Sequence, residues 1–356
     1  ELYRYKNHSP VGSTFVFFDV NGEYSQAFSE LSDSNTDVSV SKYAIGSNDE
    51  EMKDFKLPHW FLTIEEWALL LQATEKTQLP ILRNTLGLAA MFSSSKDVSN
   101  LKNHILATCI MQILRDETRS PSKKDRITSI LQKFNTPEIR LGREFTVTND
   151  QGREVTNTIE RSLVISFGEI LGLRNLIKFF ESEDEDGEAV FLIDRFKMPV
   201  YDKYKQFPFE ILDESMDLAL LYEEAHGNRS IRDYCASLVT RLKSIKDRND
   251  FKFMRRNKGN IDLFKRRLLG QIKTVQQKIK KGNQIILIDL STVEDEIVEI
   301  VSCVVSRIIY ETAKEIEPRN SYPINLVLEE AHRYISQDPH RTFLKANKVF
   351  ESIAKE

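Results

Sequence analysis

Residues 324–332, Ile-Asn-Leu-Val-Leu-Glu-Glu-Ala-His, constrain the fold more than any other stretch of the chain. Pro323 precedes an apolar run of strand length, and the run ends in two carboxylates, Glu329 and Glu330. Such a run predicts a buried β-strand, and open α/β sheets bind their ligands at the carboxyl ends of their strands. Both glutamates are therefore expected at the ligand-binding edge of a sheet.

A strand that ends in paired acidic residues has the layout of a Walker B segment. In P-loop ATPases the acidic residue at the strand end holds Mg²⁺, and a neighbouring carboxylate can polarise the attacking water. On this pattern Glu329 is predicted to hold the metal and Glu330 to act on the water, as the two catalytic candidates. The alternative is that the two glutamates begin a solvated helix.

Almost the same letters occur earlier, at Glu223-Glu224-Ala225-His226. The residues before this copy have helical spacing, with Met216, Ala219 and Leu220 on one side and Gly227 placed as a C-cap. This copy is predicted to be the polar end of a helix. The preceding residues, and not the acidic pair alone, therefore distinguish the two copies.

Two further apolar runs, residues 14–19 and 284–291, also predict buried strands, and a helix is predicted from about residue 294 to 316. Strand, helix, strand indicates a parallel sheet with crossover helices. Between these runs the chain has helical patterns, including a capping box at Thr63 and Glu66, and a hairpin within residues 143–158. We predict an α/β core formed by residues 1–55 and 251–356, interrupted by a mainly helical insertion at residues 56–250.

A length of 356 residues is sufficient for such a core plus an insertion. The chain contains no run of about 18 apolar residues, and its first residues do not resemble a secretory signal, so no membrane partner is expected. Three widely spaced cysteines in apolar segments favour reduced thiols over disulfides or a zinc site. These features predict a cytoplasmic protein.

Positive charge is concentrated between Arg241 and Lys281, although the net charge of the chain is −4. Fifteen lysines and arginines lie there against three aspartates, and a field of that kind could attract a phosphate backbone. The candidates for DNA contact are Arg255, Arg256 and Lys258. The alternative is a set of solvated helix faces.

Two segments carry a resemblance to a known family: residues 17–24, Phe-Phe-Asp-Val-Asn-Gly-Glu-Tyr, and residues 327–334, Val-Leu-Glu-Glu-Ala-His-Arg-Tyr. They resemble the HerA branch of the HerA/FtsK superfamily of DNA-translocating ATPases. There a strand ending in Asp-x-x-Gly-Glu-Tyr follows the P-loop helix, and a strand ending in Glu-Glu-Ala-His is the Walker B segment. Residues 286–291 look like the family's intervening strand. The resemblance implies a RecA-like, parallel-sheet P-loop ATPase core.

The same resemblance implies a homo-hexameric ring that hydrolyses ATP with Mg²⁺ and translocates or unwinds double-stranded DNA. Its partner would be a nuclease or an anti-phage defence effector. By position, Glu330 resembles the catalytic carboxylate and Glu329 its metal-associated neighbour. Asp19 and Glu23 resemble residues near the bound nucleotide. His332 and Arg333 match the motif and are expected to cap or pack beside the site.

The sequence departs from the family in two respects. It contains no Gly-x-x-x-x-Gly-Lys-Ser/Thr, the loop that cradles phosphates. In the family this loop lies one short helix before the strand that ends in Asp19. Family members also continue beyond the position that corresponds to Glu356, into a segment with a trans-acting arginine. The expectation is an internal portion of a motor subunit. Two alternatives are a non-hydrolysing scaffold or assembly module, and a related motor that moves protein or nucleoprotein.

Overall fold

A five-stranded, all-parallel sheet with helices beside it organises the part of the chain that the computed structural model describes. That part comprises residues 13–34, 38–46, 50–94, 98–194, 196–256, 258–269, 283–316, 323–333 and 344–355. The strands are β1 (Thr14–Asp19), β2 (Val38–Ala44), β3 (Lys53–Asp54), β4 (Glu144–Thr148), β5 (Glu154–Thr158), β6 (Ile165–Ser166), β7 (Glu169–Ile170), β8 (Asn283–Asp289) and β9 (Ile324–Leu328). The order in the main sheet is β3-β2-β8-β1-β9.

Most of the helices lie in two runs, between β3 and β4 and between β7 and β8. The helices are α1 (Tyr24–Ser34), α2 (Ile64–Leu70), α3 (Gln78–Ser94), α4 (Val98–Arg115), α5 (Ser120–Lys133), α6 (Ile159–Ser162), α7 (Leu173–Phe180), α8 (Ile211–Ala225), α9 (Ile231–Asp247), α10 (Ile261–Leu269), α11 (Asp295–Lys314) and α12 (Leu344–Lys355). Among the described helices, none has both the length and the apolar character needed to cross a bilayer.

The apolar runs of β1 and β8 form the centre of the sheet. Val16 and Phe18 are fully buried, and residues 285–288 of β8 are buried throughout. A continuous apolar run is typical of a strand that is covered on both faces of a parallel sheet. The predicted α/β class, the parallel sheet and these strands are confirmed. Strand β9 is less buried and lies at one edge of the sheet among the described strands.

Strand β2, which the sequence analysis did not predict, lies between β8 and β3. Its sequence, Val-Ser-Val-Ser-Lys-Tyr-Ala, alternates apolar and polar residues over its first four positions, and Lys42 then replaces the next apolar residue of the pattern. Its polar positions include Lys42, which is buried and pairs with the Glu51 carboxylate at 3.2 Å. Because of its serines and its lysine, the sequence pattern did not predict this strand, which pairs with a neighbouring strand on each side.

The chain divides into two compact units. The sheet unit contains the described residues of 1–82, 201–211 and 237–356, and the helical unit contains those of 83–200 and 212–236. Parts of the predicted 56–250 insertion thus group with the sheet. The predicted domain boundaries stay a prediction, because compact units do not by themselves define an insertion into a core.

Within the helical unit, β4 and β5 form the predicted antiparallel hairpin. The earlier Glu-Glu-Ala-His copy lies at the end of α8, as predicted. Met216, Ala219 and Leu220 are buried on that helix. Gly227 follows it with φ +100°, a left-handed C-cap conformation that glycine adopts without a steric penalty. This copy therefore differs from residues 329–332 in local structure.

An arginine of α11 binds an acidic residue of α2 in the interior of the sheet unit. The side chain of Arg307 is 12% exposed and that of Glu66 is 2% exposed. Arg307 donates from Nε to Glu66 Oε1 at 2.6 Å and from Nη2 to Glu66 Oε2 at 3.1 Å. Glu66 also completes the predicted capping box, since its Oε2 accepts from the Thr63 N–H at 2.8 Å. One carboxylate thus starts α2 and joins it to α11.

His59 connects three segments of the sheet unit. Its ring is fully buried, with Nδ1 3.0 Å from the Met254 carbonyl oxygen and Nε2 2.9 Å from the Phe207 carbonyl oxygen. Burial lowers the pKa of His59 to about 4, although both carbonyls favour the protonated ring. A neutral imidazole donates to only one of the two carbonyls.

Replacing Arg307 by Met should lower the free energy of unfolding by about 3–5 kcal/mol, because the buried Glu66 carboxylate loses its partner. Thermal or urea denaturation measures the change. The double variant Arg307→Met/Glu66→Gln, which removes the unpaired charge, should regain much of the loss. The exposed Arg140→Met is the matched control. A double variant no more stable than the single one would contradict this account.

Acidification should destabilise the protein partly through His59. Its folded-state pKa of about 4 lies below the ordinary 6.5, so the unfolded chain takes up the proton first. The free energy of unfolding therefore falls between pH 6.5 and about 4, by on the order of 3 kcal/mol from this group. His59→Gln should show a shallower dependence in denaturant titrations at several pH values. The exposed His226→Gln should keep the wild-type slope.

Candidate functional site

The strand register brings three acidic residues to one edge of the sheet. Asp19 at the end of β1 is in register with Asp289 at the end of β8. Phe18 is in register with Leu328, the last residue of β9, and Glu329 follows it directly. This is the carboxyl edge of the parallel strands, where α/β folds bind their ligands.

Asp19 is buried and binds the backbone turn that follows it. Its Oδ1 accepts from the N–H groups of Gly22 at 2.6 Å and Glu23 at 3.2 Å, and its Oδ2 accepts from Tyr24 at 3.1 Å. These donors belong to the turn before α1 and to the first residue of α1, so Asp19 fixes the turn that leads into that helix. Burial raises the pKa of Asp19, and its contact with the Glu329 carboxyl adds to the effect, while these N–H donors oppose it.

Glu329 joins the end of β9 to the turn after β1. Its Oε2 accepts from the N–H groups of Val20 at 3.0 Å and Asn21 at 3.3 Å, and its Oε1 accepts from Asn21 Nδ2 at 3.1 Å. Both carboxylate oxygens therefore contact amide donors and lie beside the Asp19 carboxyl.

Glu330 differs from its neighbour in backbone and in exposure. It has φ +48°, a left-handed conformation that is rare for a residue with a side chain. Its carboxylate is exposed and lies 3.2 Å from His332 Nδ1. Left-handed non-glycine residues cost of order 1–3 kcal/mol and concentrate at functional sites. Glu23, the other predicted nucleotide contact, is exposed at the start of α1.

The sequence analysis did not predict three further residues at this edge, which are Asn21, Asp289 and Ser291. Asn21 binds Glu329 through its side chain. Asp289 accepts from the N–H of Ser291 at 2.9 Å and from its hydroxyl at 2.6 Å. A Cβ at Gly22, whose φ is +77°, would lie 3.2 Å from Ser291 Oγ. The signal for Asp289 was available, because its strand ends in an aspartate as β1 does.

The predicted DNA-contacting residues fall into two kinds. Arg255 donates from Nη2 to the carbonyl oxygens of Ile245, at 2.9 Å, and of Arg248, near the end of α9. The side chains of Arg256 and Lys258 are exposed. Elsewhere in the basic cluster, Arg248 forms ion pairs with three carboxylates, those of Asp250, Glu294 and Glu296. Residues 270–282, which include Lys273, Lys278, Lys280 and Lys281, lie outside the described residues.

No model of a known protein family and no curated protein matches this sequence. Across the described ranges, no group of three or more His, Cys, Asp or Glu side chains is arranged to hold a metal ion. The assignment of Mg²⁺ to Glu329 therefore stays a prediction. The candidate function is inferred from the geometry of the sheet edge.

Glu329→Gln should loosen the turn after β1, because the amide group cannot accept all the N–H donors that the carboxylate binds. Charged acceptors contribute about 1.5–3 kcal/mol each, so the protection of the Val20 and Asn21 amides from hydrogen exchange should fall about tenfold or more. Glu330→Gln, the adjacent matched change, should leave these amides protected. Equal loss in both variants would contradict the role of Glu329.

Proposed function

We propose that this chain carries the Walker B side of a Mg²⁺-dependent, ATP-hydrolysing site in a RecA-like motor core that acts on double-stranded DNA. The observation that supports it is the contact of Glu329 with the turn after β1, beside the buried Asp19. This contact places two carboxyl groups together at the ligand-binding edge of a parallel sheet.

The donor set fits Mg²⁺ chemically. Mg²⁺ prefers oxygen ligands and keeps several of its waters, so one or two carboxylates are sufficient at a nucleotide site. Glu329 and Asp19 offer such oxygens. Their two carboxyl groups are in contact, and a bound cation would stabilise this contact. When bound, Mg²⁺ would neutralise charge on the phosphate oxygens. Glu329 would hold it through water.

Glu330 is the proposed general base or water-orienting residue. Its exposed carboxylate lies directly after Glu329 and is free of the turn contacts that occupy its neighbour. A group that handles a proton from water must be accessible and unprotonated near neutral pH. The left-handed backbone at Glu330 supports a functional role for this position.

To bind phosphate, this site needs hydrogen-bond donors of the kind that a P-loop supplies. The P-loop motif does not occur in the 356 residues. In the proposed motor these donors, and an arginine from a neighbouring subunit of a homo-hexamer, complete the site. Tests of catalysis therefore use the intact protein with its natural partners. A second candidate function, a non-hydrolysing scaffold, is favoured by the same sequence observation.

Glu330→Gln should leave ATP binding intact and lower turnover by about 10²-fold or more, since general base catalysis typically contributes 10² to 10⁴. Phosphate release measures turnover, and a fluorescent ATP analogue measures binding. Glu223→Gln, in the helical copy of the motif, is the matched control and should behave as wild type. Intact protein that neither binds nor hydrolyses ATP would support the scaffold instead.

Arg256→Ala/Lys258→Ala should weaken binding to duplex DNA of any sequence. The slope of log affinity against log salt should become shallower by about one for each phosphate contact removed. Fluorescence anisotropy at several salt concentrations measures both. Arg153→Ala, an exposed arginine of the helical unit, is the control. Unchanged affinity in the double variant would exclude this surface from DNA contact.

A further inference from the structure

A cavity of about 590 Å³ lies in the helical unit, lined by the ends of α4 and α8, the middle of α5 and the start of α9. Its volume is within the range of roughly 300–1,000 Å³ that is typical of small-molecule sites. It includes Glu224 and Ala225 of the helical Glu-Glu-Ala-His copy. None of its residues belongs to the proposed hydrolysis site.

Four arginines line this cavity: Arg115, Arg126, Arg229 and Arg232. Arg126 and Arg229 share one carboxylate, Asp116, with nitrogen–oxygen distances of 3.6 and 3.3 Å. Each guanidinium has five N–H donors, so a single carboxylate satisfies only part of the two groups. Asp116 therefore holds two arginines side by side with donors left for an anion.

The remaining lining is suited to the uncharged part of a ligand. Ile113, Ile130 and Leu221 provide apolar surface. Thr118 also lines the cavity, and its hydroxyl oxygen is buried without a hydrogen-bond partner among the described residues. Buried polar atoms without a partner are uncommon and call for an explanation such as a bound molecule.

We propose that this cavity binds a small organic phosphate. Arg126 and Arg229 would contact the phosphate, because the guanidinium fork matches its oxygens. The organic part would pack against Ile113, Ile130 and Leu221. The lining contains four arginines and three acids, Asp116, Asp125 and Glu224. Arg115 and Arg232 also pair with Glu181 and Asp217, whereas Arg126 and Arg229 have Asp116 as their one partner among the described ion pairs.

Calorimetric titration of the intact protein with AMP, ribose 5-phosphate and adenosine tests this proposal. At least one of the phosphates should bind, and uncharged adenosine should not. Arg126→Gln/Arg229→Gln should weaken phosphate binding at least tenfold. Asp125→Asn removes a negative charge from the lining without breaking a described ion pair. This variant should strengthen phosphate binding about twofold to threefold. Arg153→Gln, the same kind of substitution at an exposed arginine outside the cavity, should have no effect.

Circular dichroism and thermal melting verify that each variant is folded, and the opposite effects expected for the arginine and aspartate variants separate binding from loss of structure. Three results would overturn the proposal: no heat from either phosphate up to about 5 mM, affinity unchanged in the arginine variant, or an equal loss in the Arg153→Gln control.

Discussion

The contact of Glu329 with the backbone after β1 is the interaction on which the sheet edge depends. It joins residues that are about 309 positions apart in the chain. Because the same carboxylate also lies beside Asp19, which binds the following amides of the turn, one side chain contributes both to the shape of the turn and to the electrostatics of the edge.

Two neighbouring glutamates have different structural roles at this edge. Glu329 is engaged with backbone amides, and Glu330 is exposed in a left-handed conformation. In the proposed site, the carboxylate that supports the turn would hold the hydrated cation, and the one that reaches solvent would act on water. The helical copy has the same letters and lacks this division, since its glutamates lie in regular helix before a C-cap.

Local patterns predicted β1, β8 and β9, because each is an apolar run typical of a strand in a parallel sheet. Strand β9, at the edge, is less buried than this pattern predicted. The capping box at Thr63 was also predicted from local sequence. Strand β2 was not predicted, because its Lys42 acquires its partner, Glu51, only on folding. Likewise, the Glu329 contacts with Val20 and Asn21 depend on strand order, which no local pattern encodes. The sequence thus predicted that Asp19 and Glu329 lie at the edge, but it did not predict Asp289 or the groups that these side chains bind.

Gly22 and Ser291 illustrate how two loops at one sheet edge share space. The left-handed glycine of the first loop lies against the hydroxyl of the second, and that hydroxyl is bound to Asp289. A side chain at position 22 would displace the Ser291 side chain by a few tenths of an ångström, and it would also carry the strain of a positive φ. The contact and the backbone conformation therefore both favour glycine at position 22, so a serine 269 positions away in the chain adds to the constraint on the first loop.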